Sequence, residues 1–262
     1  MPPSTEPNAH RDMDATASCP QCDDTGWVGN TAEDGATTVV RCACYRTSQI
    51  ARLLESAGIP PRYHHARLEN FAVTAHMDDS LDGAKVTARK FVEAFPEVPY
   101  GLLFVGPAGV GKTHLAAGIL RELIEQRGVV GRFADYRDLL RAIQDSYNPV
   151  SQTSELQILR PVLDAEVLLL DELGTRRPSN WVLDTVTHIL NDRYSTQKLT
   201  IITTNFPDEP ESWSNNQTLT DRVGAYARSR LYEMCRIVAM NGEDFRRQKS
   251  ASHLSDRYSL GS

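Results

Sequence analysis

The run Gly106-Pro107-Ala108-Gly109-Val110-Gly111-Lys112-Thr113 contains residue types that can hold a polyphosphate. Glycines at 106, 109 and 111 let the backbone curl so that its amide N–H groups point inward at anionic oxygens. A helix starting near Thr113 adds the positive end of its dipole to the same spot. The pattern G-x-x-x-x-G-K-T is filled at every required position, directly after one strand and directly before one helix. That is the Walker A arrangement. Lys112 then neutralises the β- and γ-phosphates of ATP, and the Thr113 hydroxyl ligates Mg²⁺. The next residue, His114, is counted among the nucleotide contacts.

A second chemical pair follows in VLLLDEL, where Asp171 and Glu172 end a hydrophobic strand. The C-terminal strand ends of an α/β sheet face the crevice that binds ligands. Asp171 is expected to hold the Mg²⁺ coordination sphere, and Glu172 to orient and deprotonate the attacking water. The strand LTIITT ends at Thr203, Thr204 and Asn205, and an amide there can bond the γ-phosphate or that water. Asn is also a routine turn former, so Asn205 draws its weight from position. Arg222, Arg228 and Arg230 share one expected helix, from which an arginine can reach a neighbouring subunit's nucleotide or simply form a solvated face.

Cys19-Pro-Gln-Cys22 and Cys42-Ala-Cys44 form two knuckles within 26 residues. Clustered cysteines in a chain without an export signal favour metal over disulfides. A tetrahedral Cys₄ zinc site formed by Cys19, Cys22, Cys42 and Cys44 fits, although C-x-C is tighter than the commoner C-x-x-C. GWVGN and TTVVRC between the knuckles read as two strands with a turn around Asp34-Gly35. Cys235 stands alone at the start of a buried strand and reads as core.

The elements that position these residues alternate. The expected strands are GLLFV, GRFADY, EVLLLD, LTIITT and CRIVAM. Between them run the helices THLAAGILRELIEQRG, RDLLRAIQDSY, VLDTVTHILNDRY and TLTDRVGAYARSRLYEM, with SELQILRPVLD leading into the third strand. Such alternation predicts a five-stranded parallel sheet covered on both faces. Its continuous apolar runs suit strands buried on both sides. RTSQIARLLESAGIPPRY reads as a short amphipathic helix ended by Gly58 and Pro60-Pro61. The expected organisation is a disordered polar tail at 1–17, and a zinc module with linker helix at 18–58. An ATPase domain at 59–247 and a flexible tail at 248–262 follow.

Bulk properties narrow the function. The net charge of −6 excludes blanket electrostatic binding to nucleic acid, so any DNA contact needs a local patch or an assembled ring. Candidates are Arg176 and Arg177 after the acidic strand, and Arg137 and Arg141 on the second helix. No run approaches the roughly 20 apolar residues that span a bilayer, and MPPSTEPNAHRDMD has neither basic n-region nor apolar core. A cytoplasmic location is expected. No NKxD-type segment supports a guanine nucleotide.

Over residues 60–247 the chain resembles the DnaC/DnaI-type replicative helicase loaders and the related IstB transposition ATPases. The carriers are GPAGVGKTHLA, VLLLDELG, NDRY…LTIITTN and SRLYEMC…V…GEDFR. CPQCDDTGWV…VVRCAC also resembles the zinc-bearing N-terminal domain of some loaders. The resemblance implies an AAA+ P-loop NTPase domain preceded by a small zinc-ribbon-like module. It places Asn205 at sensor 1 and Arg230 at the arginine finger. The 16 residues after Arg246 leave no room for the C-terminal helical lid of ordinary AAA+ ATPases, and the lineage is similarly reduced. Sensor 2 is therefore unassigned, with Arg246 a spatial candidate only.

The implied function is ATP-dependent loading of the replicative helicase by an oligomer that forms on ATP binding and touches single-stranded DNA weakly when alone. The alternative is an IstB-like ATPase that binds duplex DNA and serves a transposase. A nucleotide-dependent adaptor with negligible turnover is disfavoured by the complete catalytic set.

Overall fold

A computed structural model describes residues 19–31, 37–73 and 78–246. The expected tails and the Asp34-Gly35 turn lie outside the described residues. The chain divides into two compact units between Ala51 and Arg52.

In the first unit, β1 (Trp27–Thr31) pairs antiparallel with β2 (Thr37–Arg41), in a register that sets Trp27 opposite Arg41. The Arg41 guanidinium stacks 3.6 Å from the Trp27 ring centroid and 4.1 Å from that of Tyr45, so cation–π contact joins the hairpin to the next helix. That helix, α1 (Ala43–Ser56), begins inside the second cysteine knuckle and carries the boundary between the two units.

The second unit is built on five parallel strands: β3 (Gly101–Val105), β4 (Gly131–Asp135), β5 (Val167–Leu173), β6 (Leu199–Thr204) and β7 (Cys235–Ala239). Their spatial order is β4-β5-β6-β3-β7. Consecutive strand residues enter opposite cores. Leu102, Phe104, Leu169 and Ile201 pack into one, which also holds α2 (Asp79–Ala94) and α3 (Lys112–Arg127). Leu103, Leu168, Leu170 and Ile202 pack into the other, with α4 (Tyr136–Ser146), α5 (Glu155–Asp164), α6 (Asn180–Ser195) and α7 (Leu219–Met234). A strand covered on both faces needs apolar residues at every position, hence the unbroken runs in the sequence.

Three elements differ from the sequence reading. Helix α2 was not anticipated: its buried stripe of Leu81, Ala84, Ala88, Phe91 and Val92 has helical spacing, but two of the five are alanine. SELQILRPVLD folds as α5, started by a Ser154–Gln157 capping box that outweighs the internal Pro161. Helix α7 is kinked at Gly224, whose φ of 81° breaks the helical path.

Arg193, from the NDRY segment, is fully buried. It donates to the carbonyls of Val162, Leu163, Ala165 and Leu199 and to the Thr200 hydroxyl. Several of these acceptors lie at the C-terminal end of α5, where a helix dipole favours a cation. Arg193 thus ties α5 and α6 to the start of β6.

Candidate functional site

The acidic pair near the C-terminal end of β5, the threonines ending β6 and the glycine-rich loop after β3 come together because these three strands are neighbours in the sheet. After β3 the chain turns through Gly106–Gly111 and enters α3. Gly111, at φ 96°, is the residue before that helix and offers no side chain to cap it. The first-turn amides therefore remain directed at the loop. All three glycines of the loop are sterically enforced. A Cβ on Gly106 would lie 1.8 Å from the Met240 carbonyl oxygen, one on Gly109 1.9 Å from Asp244 Oδ1, and one on Gly111 2.6 Å from Phe71. The chain after β7 also closes on the loop: Met240 N–H donates to the Val105 carbonyl, and Phe245 N–H to that of Gly109.

Lys112 is buried, and its ammonium donates to the carbonyls of Gly106 (2.8 Å) and Pro107 (2.7 Å). Burial pulls its pKa down to about 8, although Asp171 and Glu172 act in the opposite direction. Arg246 adds slightly to the lowering; its Nε lies 3.8 Å from Asp244 Oδ1.

Asp171 is fully buried, and burial pushes its carboxyl up to about 6 against the pull of hydrogen bonds from Thr203 and Thr113. Both hydroxyls donate to the same oxygen, Oδ1, at 2.6 Å from Thr203 and 2.8 Å from Thr113. The other oxygen, Oδ2, is buried with no hydrogen-bond partner among the described residues. A buried, unpartnered carboxylate oxygen beside a threonine hydroxyl suits a hard divalent cation, which takes oxygen ligands of this kind.

Glu172 follows with its side chain 37% exposed and its Oε2 4.0 Å from Arg137 Nη2. Its backbone φ of 58° is left-handed, an uncommon state for a residue with a Cβ. Asn205 stands one residue beyond β6, half-buried. His114 leans the other way, with Nε2 2.7 Å from Asn70 Oδ1 and its ring near those of His65 and Phe71.

The three arginines of α7 all have partners within their own chain. Arg222 donates to the Gly174 carbonyl and covers the Phe206 ring. Arg228 pairs with Asp208. Arg230 donates to Asn191 Oδ1 (3.2 Å) and Glu233 Oε2 (2.7 Å), with Tyr194 and Tyr226 flanking its guanidinium. Among the proposed DNA contacts, Arg176 bonds Gln144, while Arg177 and Arg141 are exposed.

In the first unit the sulfur atoms of Cys19, Cys22, Cys42 and Cys44 lie within 4.8 Å of one another, and no disulfide joins them. Burial raises the Cys22 thiol, but hydrogen bonds from Cys44 and the Gly26 amide outweigh it and bring the pKa to about 7. Cys44 is pushed up by the neighbouring Cys22 and Cys42 thiols. Metal–sulfur bonds of about 2.3 Å in a tetrahedron set sulfurs about 3.8 Å apart. The Cys19–Cys42 (3.7 Å) and Cys22–Cys44 (3.3 Å) separations are near that value. Cys235 is buried in the other unit, as core.

A family model described as IstB-like ATP binding protein matches residues 42–253. The chain belongs to this family. The replicative helicase loader DnaC of Escherichia coli K12 is 28% identical over 186 residues, 71% of each chain. A solved structure of the DnaC helicase loader is 35% identical, with a TM-score of 0.60, and the match covers 69% of this chain and 99% of that one. The solved DnaI is 26% identical at a TM-score of 0.56, covering 70% and 95% respectively.

This IstB/DnaC-family chain therefore has the AAA+ P-loop fold, with a cysteine cluster before it. Sequence reasoning named Thr203 only as part of a strand end. Its bond to Asp171 depends on strand register, which no local pattern reports. Asn70 and Phe71, against His114 and Gly111, carried no signal in the sequence.

Proposed function

We propose that this chain is an ATP-dependent loader of the replicative DNA helicase. The observation carrying this reading is the 35% identity with the DnaC helicase loader across 99% of that structure, joined to an intact phosphate loop and acidic pair. In this reading ATP is hydrolysed to ADP and phosphate with Mg²⁺. Lys112 and the amides of Gly106–Thr113 neutralise the phosphates, with His114 bordering the loop. Thr113 and Asp171 hold Mg²⁺, which offsets phosphate charge when bound. Glu172 takes the proton of the attacking water, and Asn205 orients that water or the γ-phosphate. Arg230 serves a neighbouring subunit's nucleotide within an oligomer formed on ATP binding.

The four cysteines hold one structural Zn²⁺, and the module they build, with α1, engages the helicase in the cytoplasm. The ATPase domain meets single-stranded DNA weakly when alone, through Arg137, Arg141, Arg176 and Arg177. A second reading, an ATPase that binds duplex DNA and serves a transposase, draws only on the IstB-like part of the family description. Capture by the tagged chain from its host, with ATP present, separates the two. Recovery of the replicative helicase supports loading, and recovery of a transposase without helicase rejects it.

A further inference from the structure

On the pair of strands that carries the acids, Leu170 lies opposite Ile202, but Leu173 lies opposite Thr204. Two residues of β5, Asp171 and Glu172, therefore face a single residue of β6, Thr203. This is the two-against-one geometry of a β-bulge. In a regular strand, neighbouring side chains point to opposite faces, so Asp171 and Glu172 could not serve one crevice. At the bulge Glu172 takes its left-handed backbone, and both acids act electrostatically on Lys112.

The bulge needs a partner for the backbone it displaces, and Thr203 supplies it. The Thr203 hydroxyl is buried and makes two bonds of opposite sense. It donates its only proton to Asp171 Oδ1 (2.6 Å) and accepts the Glu172 backbone N–H (2.9 Å). One oxygen thus fixes the carboxylate of Asp171 and the strained backbone of Glu172 together. Thr113 also donates to Asp171 Oδ1, but it is a Mg²⁺ ligand in the reading above. Thr203 is the donor that stays with Asp171 when Thr113 turns to the metal.

We infer that Thr203 is the positioning residue of the acidic pair, setting both the Mg²⁺ affinity of Asp171 and the aim of Glu172. The inference rests on the proposed roles of those two acids. It assigns Thr203 no contact with nucleotide.

The test compares Thr203→Val, Thr203→Ala and Thr203→Ser in the full chain. Val keeps the branched shape without the hydroxyl, Ala removes both, and Ser restores the hydroxyl. Nucleotide affinity is read with a fluorescent ATP analogue, in EDTA and across a Mg²⁺ titration. Steady-state turnover and thermal unfolding are measured beside it. In EDTA all variants should bind the analogue like wild type. The Mg²⁺ concentration for half-maximal strengthening of binding should rise at least about tenfold in Val and Ala, the range for lost ligand-orienting partners. Their kcat should fall about 10²-fold with KM for ATP changed little, because a displaced Glu172 costs geometry rather than binding. Ser should return both values to within about threefold of wild type.

An unchanged Mg²⁺ midpoint in the folded variants overturns the inference, as does a Ser variant as impaired as Val. If Val does not fold, Ala and Ser give the same comparison. A wild-type chain that strengthens nucleotide binding with Mg²⁺ yet hydrolyses nothing rejects the proposed catalysis, while the Mg²⁺ midpoints still decide the role of Thr203 toward Asp171.

Discussion

Thr113 Oγ1 donates to Asp171 Oδ1 across 2.8 Å, joining the first turn of α3 to the end of β5. The residue after the phosphate-loop lysine and the first residue of the acidic pair thus meet at one point. Asp171 Oδ2 beside them is left without a partner among the described residues. A cation at this point would take both groups as ligands.

Glu172→Gln keeps the side-chain volume and removes the base. It should bind ATP like wild type and turn it over at least about 10²-fold more slowly. Lys112→Ala should lose binding itself. Arg230→Ala should bind normally and hydrolyse poorly. Mixed with Glu172→Gln, it should regain turnover at interfaces that pair an intact Glu172 with an intact Arg230. Turnover assays on single and mixed proteins check this. If co-assembled mixtures stay as inactive as their parts, Arg230 does not act in trans.

Asp171 makes stability fall as pH rises. Its pKa of about 6 lies above the ordinary 3.8, so between those values the folded chain keeps a proton that the unfolded chain has released. Stability is therefore highest at the acid end of that window, and the cost of the buried charge is fully present above pH 6. In EDTA, Asp171→Asn should remove this slope and gain about 3 kcal/mol at pH 7.5, from about 1.4 kcal/mol per pKa unit. It should lose stabilisation by Mg²⁺. Denaturation curves at pH 5 and 7.5 measure both. A variant less stable than wild type at pH 7.5 would contradict the burial account.

Arg193→Met removes the donor that α5, α6 and β6 share. Backbone carbonyls and the Thr200 hydroxyl would be stranded in the core, for a loss of about 3 kcal/mol or more. Urea unfolding reads this directly. A loss under about 1 kcal/mol would mean that water or rearrangement replaces the arginine.

Protein purified under reducing conditions should hold one Zn²⁺ per chain, and Cys22→Ser should release it. Nucleotide binding should survive, because the phosphate loop lies in the other compact unit. Metal analysis without zinc in reduced protein would overturn the assignment.

Much of the site was legible because its requirements are local. A phosphate loop needs glycines and a lysine at fixed spacing between strand and helix, and GPAGVGKT states all of that in eight letters. Asp171 and Glu172 were legible because the apolar run of β5 gives way to them near its C-terminal end. The cysteine knuckles carry their chemistry in residue type. What escaped depends on pairing across the fold. Thr203 acquires its role only through a bulge in the strand opposite. Arg193 reads as one more helix-face arginine until α5 brings its carbonyls to it. Helix α2 blurs its buried stripe with Ala84 and Ala88, and the α5 segment reads only as leading into the third strand, its Ser154–Gln157 cap unrecognised.

The central claim, helicase loading, is tested most directly on a covalently closed single-stranded DNA circle, which a closed helicase ring cannot thread by itself. The host's replicative helicase, the circle and ATP are mixed with and without this chain, and helicase bound to DNA is counted after removal of free protein. The account predicts that helicase is retained on the circle only when the chain is present. Equal retention with and without the chain, in a preparation that binds ATP, would contradict it.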